Sequence, residues 1–501
     1  MSLARKAARG AIWTIFSSIG GRIIGVLGTM IMTRFLDPDE VGEVSVATII
    51  CFSVTWATNF GWGQYLVIHG RGDAAKEVGW HATLGYVAVG VVTLGLIAVV
   101  GGGLTPLLGA PGAALYLPGM ALAMWIRRLG MAPERTLTMK MTFRASGLSL
   151  FAGESTYTVV ALACAWRGYG GMSIVYGNIA QSAIMSAILL AAANWRDWGT
   201  PMWPRWERVK SFLGFGWPIA VSSVAHGGSR YWDNLTVSTF FGPGATGVYN
   251  MAYNLADIPA IQIGEQIQLV LMPSITELPV DQRGRAAERS AALMSLLLFP
   301  LAIGLGLVAK PLIALVLPAD QWQEVAPLLV VLSGLSVFRP FLSVLAAYME
   351  ASGKTGRLMG LELAKLVVLL GGIAGFAMLG TNVLDWSEMS TLQLAAGAVG
   401  FAFGLTALTT ALLVSREPGG PRMRPILKGF FEPLLACGVM TAAVLAAEHG
   451  LALAGVTHPG VVLVVAIVVG AVSYAAAALV IARDCSRDLL QLLKKTLRRG
   501  G

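Results

Sequence analysis

Runs of about twenty apolar residues recur along nearly the whole chain, and the polar breaks between them are too short to fold as a separate domain. A run of this length crosses the hydrocarbon core of a bilayer as a helix, whereas a transmembrane β-barrel shows alternating segments of about ten residues. The composition agrees, because 55% of the 501 residues are hydrophobic and only 13% are charged. Soluble domains carry about 25% charged residues. The sequence therefore predicts an all-α polytopic membrane protein.

We place fourteen transmembrane helices in the sequence. Their predicted bounds are 11–34, 43–67, 79–101, 113–130, 147–166, 172–193, 211–240, 246–275, 289–309, 325–350, 358–380, 390–414, 429–448 and 460–482.

The positions of Lys and Arg predict the orientation of these helices. With the N-terminus inside, the inner segments hold 29 of the 36 Lys and Arg residues and the outer loops hold three. Cytoplasmic loops retain Lys and Arg, and one missed helix would invert every later loop. We therefore expect both termini in the cytoplasm. The net charge of +9 then reflects topology, and no nucleic-acid partner is expected.

One short pattern occurs twice, in residues 34–44 (RFLDPDEVGEV) and 239–249 (TFFGPGATGVY). A shift of 205 residues carries the first predicted helix onto the seventh, which places both turns on the outer side. Parallel repeats of this kind occur in transporters, where the two halves are related by an axis along the membrane normal. The positions that recur with this shift are Phe35 and Phe240, Pro38 and Pro243, Gly42 and Gly247, and Ser17–Ser18 and Ser222–Ser223.

The repeat predicts three parts of the chain. Residues 1–200 form an N-terminal lobe of helices 1–6, and residues 201–415 form a C-terminal lobe of helices 7–12, related to it by pseudo-twofold symmetry. Residues 416–501 add helices 13–14 and a basic cytoplasmic tail.

Four basic residues lie within the predicted helices away from their ends: Arg22, Arg230, Arg339 and Lys365. A charge at membrane depth costs about 2.5–3.5 kcal/mol on insertion scales, so it is expected to face a cavity or a partner. Neither Arg22 nor Arg339 has an acid nearby on its own helix, which predicts an anionic partner, and a phosphate matches the forked donors of guanidinium. Arg22, Arg230 and Arg339 are accordingly our candidates for binding a diphosphate in a cationic central cavity.

Predicted helices 7 and 8 carry acidic and amide side chains that suit sugar hydroxyls or a coupling ion. Five of them form one stripe of helix 8 at 100° per residue. The candidates are Asp233, Asn250, Asn254, Asp257, Glu265 and Gln268. Structural alternatives are an ion pair between Arg230 and Asp233 that only holds helix 7, and a pair between Glu362 and Lys365 within one helix.

The four cysteines have no metal-like spacing and imply no disulfide framework. We expect neither a metal nor a cofactor.

Three stretches resemble the Wzx-type polysaccharide flippases, which belong to the multidrug, oligosaccharidyl-lipid and polysaccharide exporter superfamily. The resemblance covers about residues 10–415. The stretches are 34–64 (RFLDPDEVGEVSVATIICFSVTWATNFGWGQ), 215–253 (FGWPIAVSSVAHGGSRYWDNLTVSTFFGPGATGVYNMAY) and 299–323 (FPLAIGLGLVAKPLIALVLPADQWQ).

This resemblance implies a non-enzymatic transporter, a V-shaped bundle of two six-helix lobes in the bacterial inner membrane. It would move undecaprenyl-diphosphate-linked oligosaccharide from the cytoplasmic to the outer leaflet by alternating access. The partners it implies are the lipid-linked oligosaccharide, the bilayer, a coupling H⁺ or Na⁺, and a polysaccharide polymerase with its copolymerase. Fourteen helices are also typical of the lipid II branch, whose last helix pair supports a lipid groove.

Three other functions remain open at this point. A lipid II flippase and a multidrug antiporter share the architecture, although an antiporter of cationic drugs would favour an acidic cavity. A membrane polysaccharide polymerase or ligase would place catalytic residues in a large outer loop. The longest outer loop here, near 102–118, contains no His, Asp, Glu, Lys or Arg.

Overall fold

A computed structural model describes residues 20–499 with the exception of 22, 23, 26, 71–73, 141, 260–277 and 319. In this part of the chain α-helices predominate, with two short 3₁₀ turns, and no strand is present. The chain divides into two compact units, Met1–Gly247 and Val248–Gly501.

Residues 27–32 are helical and precede the first helix that lies wholly within the described residues. The helices of the first unit are Pro38–Ala57, Trp62–His69, Ala75–Val100, Leu117–Leu129, Met131–Met139, Phe143–Trp166, Met172–Ala192 and Trp195–Trp198. The helix Trp206–Pro259 runs from the first unit into the second. The second unit continues with Val280–Leu307, Ala309–Val316, Val325–Leu335, Phe338–Ala351, Thr355–Asn382, Glu388–Ser415, Met423–Leu453, Pro459–Ile481 and Arg483–Arg499.

Ten helices among the described residues are long and apolar enough to cross a bilayer. The protein is therefore an all-helical, multi-pass membrane protein. The predicted count of fourteen remains a prediction, since parts of predicted helices 1 and 8 lie outside the described residues.

Predicted helices 7 and 8 meet without a loop. Gly242 alone has non-helical backbone angles within Trp206–Pro259, with φ 78° and ψ −178°. Only glycine adopts this conformation readily, because it has no Cβ. The predicted turn is thus a one-residue kink between two helices.

The two copies of the repeated pattern touch each other inside the first unit. A Cβ built on Gly42 would lie 1.8 Å from the carbonyl oxygen of Pro243. A Cβ built on Gly247 would lie 1.9 Å from the carbonyl oxygen of Pro38. In these two contacts, the glycine of each copy meets the proline of the other copy. A reciprocal contact of this kind indicates a local twofold axis. The two turns obey that local symmetry, and the symmetry of whole lobes remains a prediction.

Predicted helix 4 continues well beyond its expected end at residue 130. Leu117–Leu129 is followed directly by Met131–Met139, and the intervening Gly130 keeps helical backbone angles. Arg127 and Arg128 are therefore helical residues, as the predicted bounds 113–130 imply, and they are followed by the further helical residues Met131–Met139.

The second unit has one large apolar core. Its centre is formed by Phe299, Phe341 and Phe430, whose rings pack edge to face with centroids 5.0 and 5.2 Å apart. Leu345 and Val344 are fully buried beside them. This core fixes the helices that carry Arg339, Lys365 and Phe403.

Candidate functional site

Arg339 lies in the middle of the candidate span Val325–Ala351 and has a protein partner. Its Nη1 forms an ion pair with Oδ1 of Asp257, and its Nη2 donates a hydrogen bond of 2.6 Å to the Tyr253 hydroxyl. The side chains of Arg339 and Asp257 are 14% and 7% exposed. The sequence predicts an anionic partner for Arg339, and in this structure a carboxylate from another helix, that of Asp257, pairs with it.

Two aromatic rings hold the guanidinium group of Arg339. Its Cζ lies 4.8 Å from the ring centroid of Tyr253 and 4.8 Å from that of Phe403. A cation over an aromatic face is attracted by the ring quadrupole, and more strongly where water is excluded. The rings leave the guanidinium edge as its hydrogen-bonding surface, and part of that edge is occupied by Asp257.

Lys365 adds a second buried cation to the same cluster. Its Nζ lies 4.7 Å from the ring centroid of Phe403 and 2.5 Å from Oε2 of Glu362. The predicted ion pair between Glu362 and Lys365 is thus confirmed. We define the second-unit charge cluster as Asp257, Arg339, Glu362 and Lys365, together with the rings of Tyr253 and Phe403.

The predicted polar stripe starts as expected on the helix that ends at Pro259. Nδ2 of Asn254 donates a hydrogen bond of 2.8 Å to Oδ1 of Asn250, and Asp257 lies one turn further on. Asn254 is exposed and Asn250 is half-buried. Glu265 and Gln268 lie outside the described residues.

The first unit holds the other candidates of predicted helix 7. Arg230 is half-buried, with its Cζ 5.7 Å from the ring centroid of Tyr231. Asp233 is buried and accepts hydrogen bonds of 2.9 and 3.0 Å from the backbone and side-chain nitrogens of Asn234. Trp232 donates from Nε1 to Oγ of Ser53 at 2.8 Å. Arg22 lies outside the described residues.

Arg128 is a membrane-depth cation that sequence reasoning missed. It is 3% exposed, and its Nη2 donates a hydrogen bond of 2.6 Å to Oγ1 of Thr58. Its Cδ lies 2.8 Å from where a Cβ on Gly90 would be. Gly90 lies about 22 Å along Ala75–Val100 from its first residue, at about 1.5 Å per residue. Arg128 is therefore level with the middle of a candidate span.

Arg128 has unsatisfied hydrogen-bonding capacity. Its Nε is buried with no hydrogen-bond partner, and among the described residues no carboxylate forms an ion pair with it. The adjacent Arg127 pairs with Glu134 at 2.9 Å, but its Nη1 is also buried and without a hydrogen-bond partner. Unpaired buried donors are costly and rare.

The bend between the helices Pro38–Ala57 and Trp62–His69 lies beside Arg128. Pro38–Ala57 ends at Thr58, and Trp62–His69 begins after Gly61, which has a φ of 61°. The Tyr86 hydroxyl and the Nε of Arg135 lie 2.7 and 2.8 Å from where a Cβ on Gly63 would be. The N-terminal end of Trp62–His69 and the side chain of Arg135 thus meet at this bend.

Among the described residues, no group of three or more His, Cys, Asp or Glu side chains is arranged to hold a metal ion. The four cysteines are free.

A family model described as "polysaccharide biosynthesis protein" matches residues 31–327, which is more than half of the chain. Among characterised relatives, the succinoglycan biosynthesis transport protein ExoT of Rhizobium meliloti (strain 1021) is 26% identical over 505 residues, with 98% of this chain and 96% of ExoT covered. The lipopolysaccharide biosynthesis protein WzxC of Escherichia coli (strain K12) is 22% identical over 348 residues, with 68% of each chain covered.

The fold resembles that of the lipid II flippase MurJ in its inward closed conformation. The TM-score is 0.73 at 15% sequence identity, and the match covers 95% of this chain and 99% of MurJ. At this identity the likeness shows a common fold.

Proposed function

The chain belongs to the polysaccharide biosynthesis protein family of Wzx-type flippases, and on that premise we propose that it flips undecaprenyl-diphosphate-linked oligosaccharide units across the bacterial inner membrane. The lipid-linked unit would pass from the cytoplasmic to the outer leaflet by alternating access. A flippase moves its substrate without breaking a bond, so no catalytic residue is required.

One observation carries this proposal, the buried guanidinium group of Arg339 at mid-membrane depth. A diphosphate cannot cross about 30 Å of hydrocarbon without groups that replace its hydration. A planar guanidinium offers two parallel donors to phosphate oxygens, and the Tyr253 and Phe403 rings already hold it in one orientation. Removing such a group should therefore weaken the passage of phosphate more than the stability of the fold.

Asp257 is the partner of Arg339 when no substrate is bound. When no phosphate is bound, the carboxylate neutralises Arg339, which would otherwise be an isolated buried charge. We propose that an incoming phosphate takes the place of Asp257 on the guanidinium edge. The exchange keeps Arg339 paired throughout, so neither state leaves a bare cation in the membrane.

Asp257 is also a candidate for coupling transport to H⁺ or Na⁺, because its carboxylate is the group that pairs with Arg339.

The sugar units require hydroxyl and amide partners outside the charge cluster. Asn254 and Asn250 lie one and two turns from Asp257 on the same helix, and Asn254 is exposed. We assign these two amides to sugar binding and keep Asp233, Glu265 and Gln268 as further candidates. Arg22 and Arg230 remain candidates for the second phosphate, and a polymerase with its copolymerase would receive the flipped unit.

Complementation of a bacterial strain that lacks its polysaccharide flippase tests this proposal. Arg339→Ala should reduce surface polysaccharide to the level of the empty vector, while immunoblotting of membranes shows normal insertion. The matched control is Arg357→Ala, which removes an exposed arginine of the same unit that pairs with Glu417 at 3.3 Å. Wild-type polysaccharide from the Arg339→Ala strain would refute the proposed role of the guanidinium.

A further inference from the structure

Arg128 is a buried cation for which the described chain supplies only a neutral hydrogen-bond acceptor. Its Nη2 contacts the Thr58 hydroxyl, its Nε has no partner, and the side chain is 3% exposed. A lone ionised group at this depth is strongly disfavoured unless a counter-charge is near. The protein keeps it there although a neutral residue of similar volume would fill the same space.

Arg127 and Arg135, which lie near Arg128, are also positively charged and do not neutralise its charge. The Nη2 of Arg127 pairs with Glu134, and its Nη1 is buried without a hydrogen-bond partner. Arg135 reaches the bend from the following helix and lies beside Tyr86 and Gly63. Among the described residues, the ion pair formed by these three arginines is that of Arg127 with Glu134.

The bend itself favours an anion. Trp62–His69 starts at this point, and its N-cap residue Gly61 has no side chain to cap the first turn. The first N–H groups of a helix and its dipole together attract negative charge. The Tyr86 hydroxyl adds a neutral donor for a phosphate oxygen, whereas the Thr58 hydroxyl donates to the carbonyl oxygen of Val54 at 2.7 Å.

We propose that Arg128 and Arg135, with the bend between Thr58 and Gly63, form a second phosphate subsite within the first unit. Its ligand is a phosphate group carried by a lipid. The inference rests on the proposed function for the identity of the lipid, a polyprenyl diphosphate, because an anionic phospholipid presents the same chemistry. The subsite would hold the diphosphate at a stage of transport different from that served by Arg339.

Native mass spectrometry of the purified full-length protein tests this assignment. The protein is titrated with undecaprenyl diphosphate and, in separate samples, with phosphatidylglycerol or zwitterionic phosphatidylcholine. Arg128→Gln should weaken binding of the phosphate ligand about 10- to 100-fold, the loss expected for one charge-assisted contact. Arg128→Lys, which keeps the charge but loses the fork, should fall between Arg128→Gln and the wild type.

The matched control is Arg208→Gln, which removes an arginine of the same unit whose Nε pairs with Glu77 at 3.2 Å. It should change each affinity less than twofold, and phosphatidylcholine binding should be unchanged in every variant. If Arg128→Gln does not fold, the Arg128→Lys and Thr58→Val variants supply the same comparison. Thr58→Val should leave binding intact or strengthen it, since the hydroxyl that competes for the guanidinium is gone.

The outcomes separate the two sources of phosphate. Selective loss of undecaprenyl diphosphate assigns the subsite to the transported lipid, and selective loss of phosphatidylglycerol assigns it to a bilayer phospholipid. Unchanged affinity of Arg128→Gln for both ligands would overturn the subsite. If wild-type protein binds no undecaprenyl diphosphate at all, the proposed function fails, whereas wild-type binding that Arg128→Gln retains refutes this inference alone.

Discussion

The carbonyl oxygen of Pro243 lies 1.8 Å from the point where Gly42 would carry a Cβ. About two hundred residues of sequence separate them, and they belong to the two copies of one pattern, in which Gly42 corresponds to Gly247 and Pro38 corresponds to Pro243. The reverse contact, between Pro38 and Gly247, has nearly the same spacing, 1.9 Å. Glycine is therefore required at residues 42 and 247, because two backbones approach closely there. This requirement explains why the same pattern occurs twice in the sequence.

Gly42→Ala should destabilise the protein, because the added methyl group would overlap a backbone oxygen that cannot rotate away. Overpacking of this kind typically costs about 1–3 kcal/mol. Thermal unfolding in detergent should show a lower Tm for Gly42→Ala and for Gly247→Ala. The control is Gly95→Ala, since a Cβ at residue 95 meets nothing within 4 Å. Equal Tm values for all three variants would contradict the reciprocal contact.

The ion pair between Arg339 and Asp257 should show strong coupling in a double-mutant cycle. Arg339→Gln alone leaves a buried carboxylate and Asp257→Asn alone leaves a buried cation, and each single loss costs about 3–5 kcal/mol. The double variant removes both charges and should recover much of the lost Tm. Polysaccharide export should stay absent, because Arg339 is missing. Additive losses of Tm would show that the two side chains do not stabilise each other.

Thr391 limits the space at Gly380 in the second unit. A Cβ on Gly380 would lie 2.4 Å from Cγ2 of Thr391, a β-branched side chain with few rotamers. Gly380→Ala should therefore lower Tm by packing alone, without altering the charge cluster. Gly375→Ala, on the same helix with nothing within 4 Å, is the control and should be neutral. A rise of Tm in Gly380→Ala, as expected from helix propensity alone, would count against this packing.

The predicted orientation places residue 320 outside and residue 282 inside. Asp320 and Gln282 are both exposed, so a cysteine at either position can react with a reagent. In a cysteine-free background, a membrane-impermeant maleimide added to spheroplasts should label Asp320→Cys and leave Gln282→Cys unlabelled until the cells are lysed. Labelling with the opposite preference would show that both termini lie outside.

Much of the fold could be predicted from apolar run length alone, because a bilayer demands a helix of nearly fixed length. The ends of the helices were harder to predict from the sequence. Predicted helix 4 ends at residue 130, whereas the helix of the structure continues through Met131–Met139. The residues MAPERTLTM that follow are too polar to read as part of a span, although Pro133 in their first turn suits a helix start. That polar extension is the one signal that could have placed Arg128 at membrane depth.

Partners across helices could not be predicted. The pair of Glu362 and Lys365 was foreseen, since residues three apart share a helix face. Asp257 and Arg339 were each singled out as functional, but the 82 residues between them gave no sign of their contact. Charge pairing between helices depends on packing, which a single sequence does not display.

Transport by the purified protein in sealed proteoliposomes tests the central claim most directly. A fluorescent undecaprenyl-diphosphate oligosaccharide is placed in both leaflets, and its accessibility to an impermeant quencher is followed over time. We predict rapid exchange between leaflets for wild-type protein and for Arg357→Ala, and none above empty liposomes for Arg339→Gln. Exchange by Arg339→Gln at the wild-type rate, or equal exchange of a lipid whose diphosphate is replaced by a neutral linkage, would contradict the account.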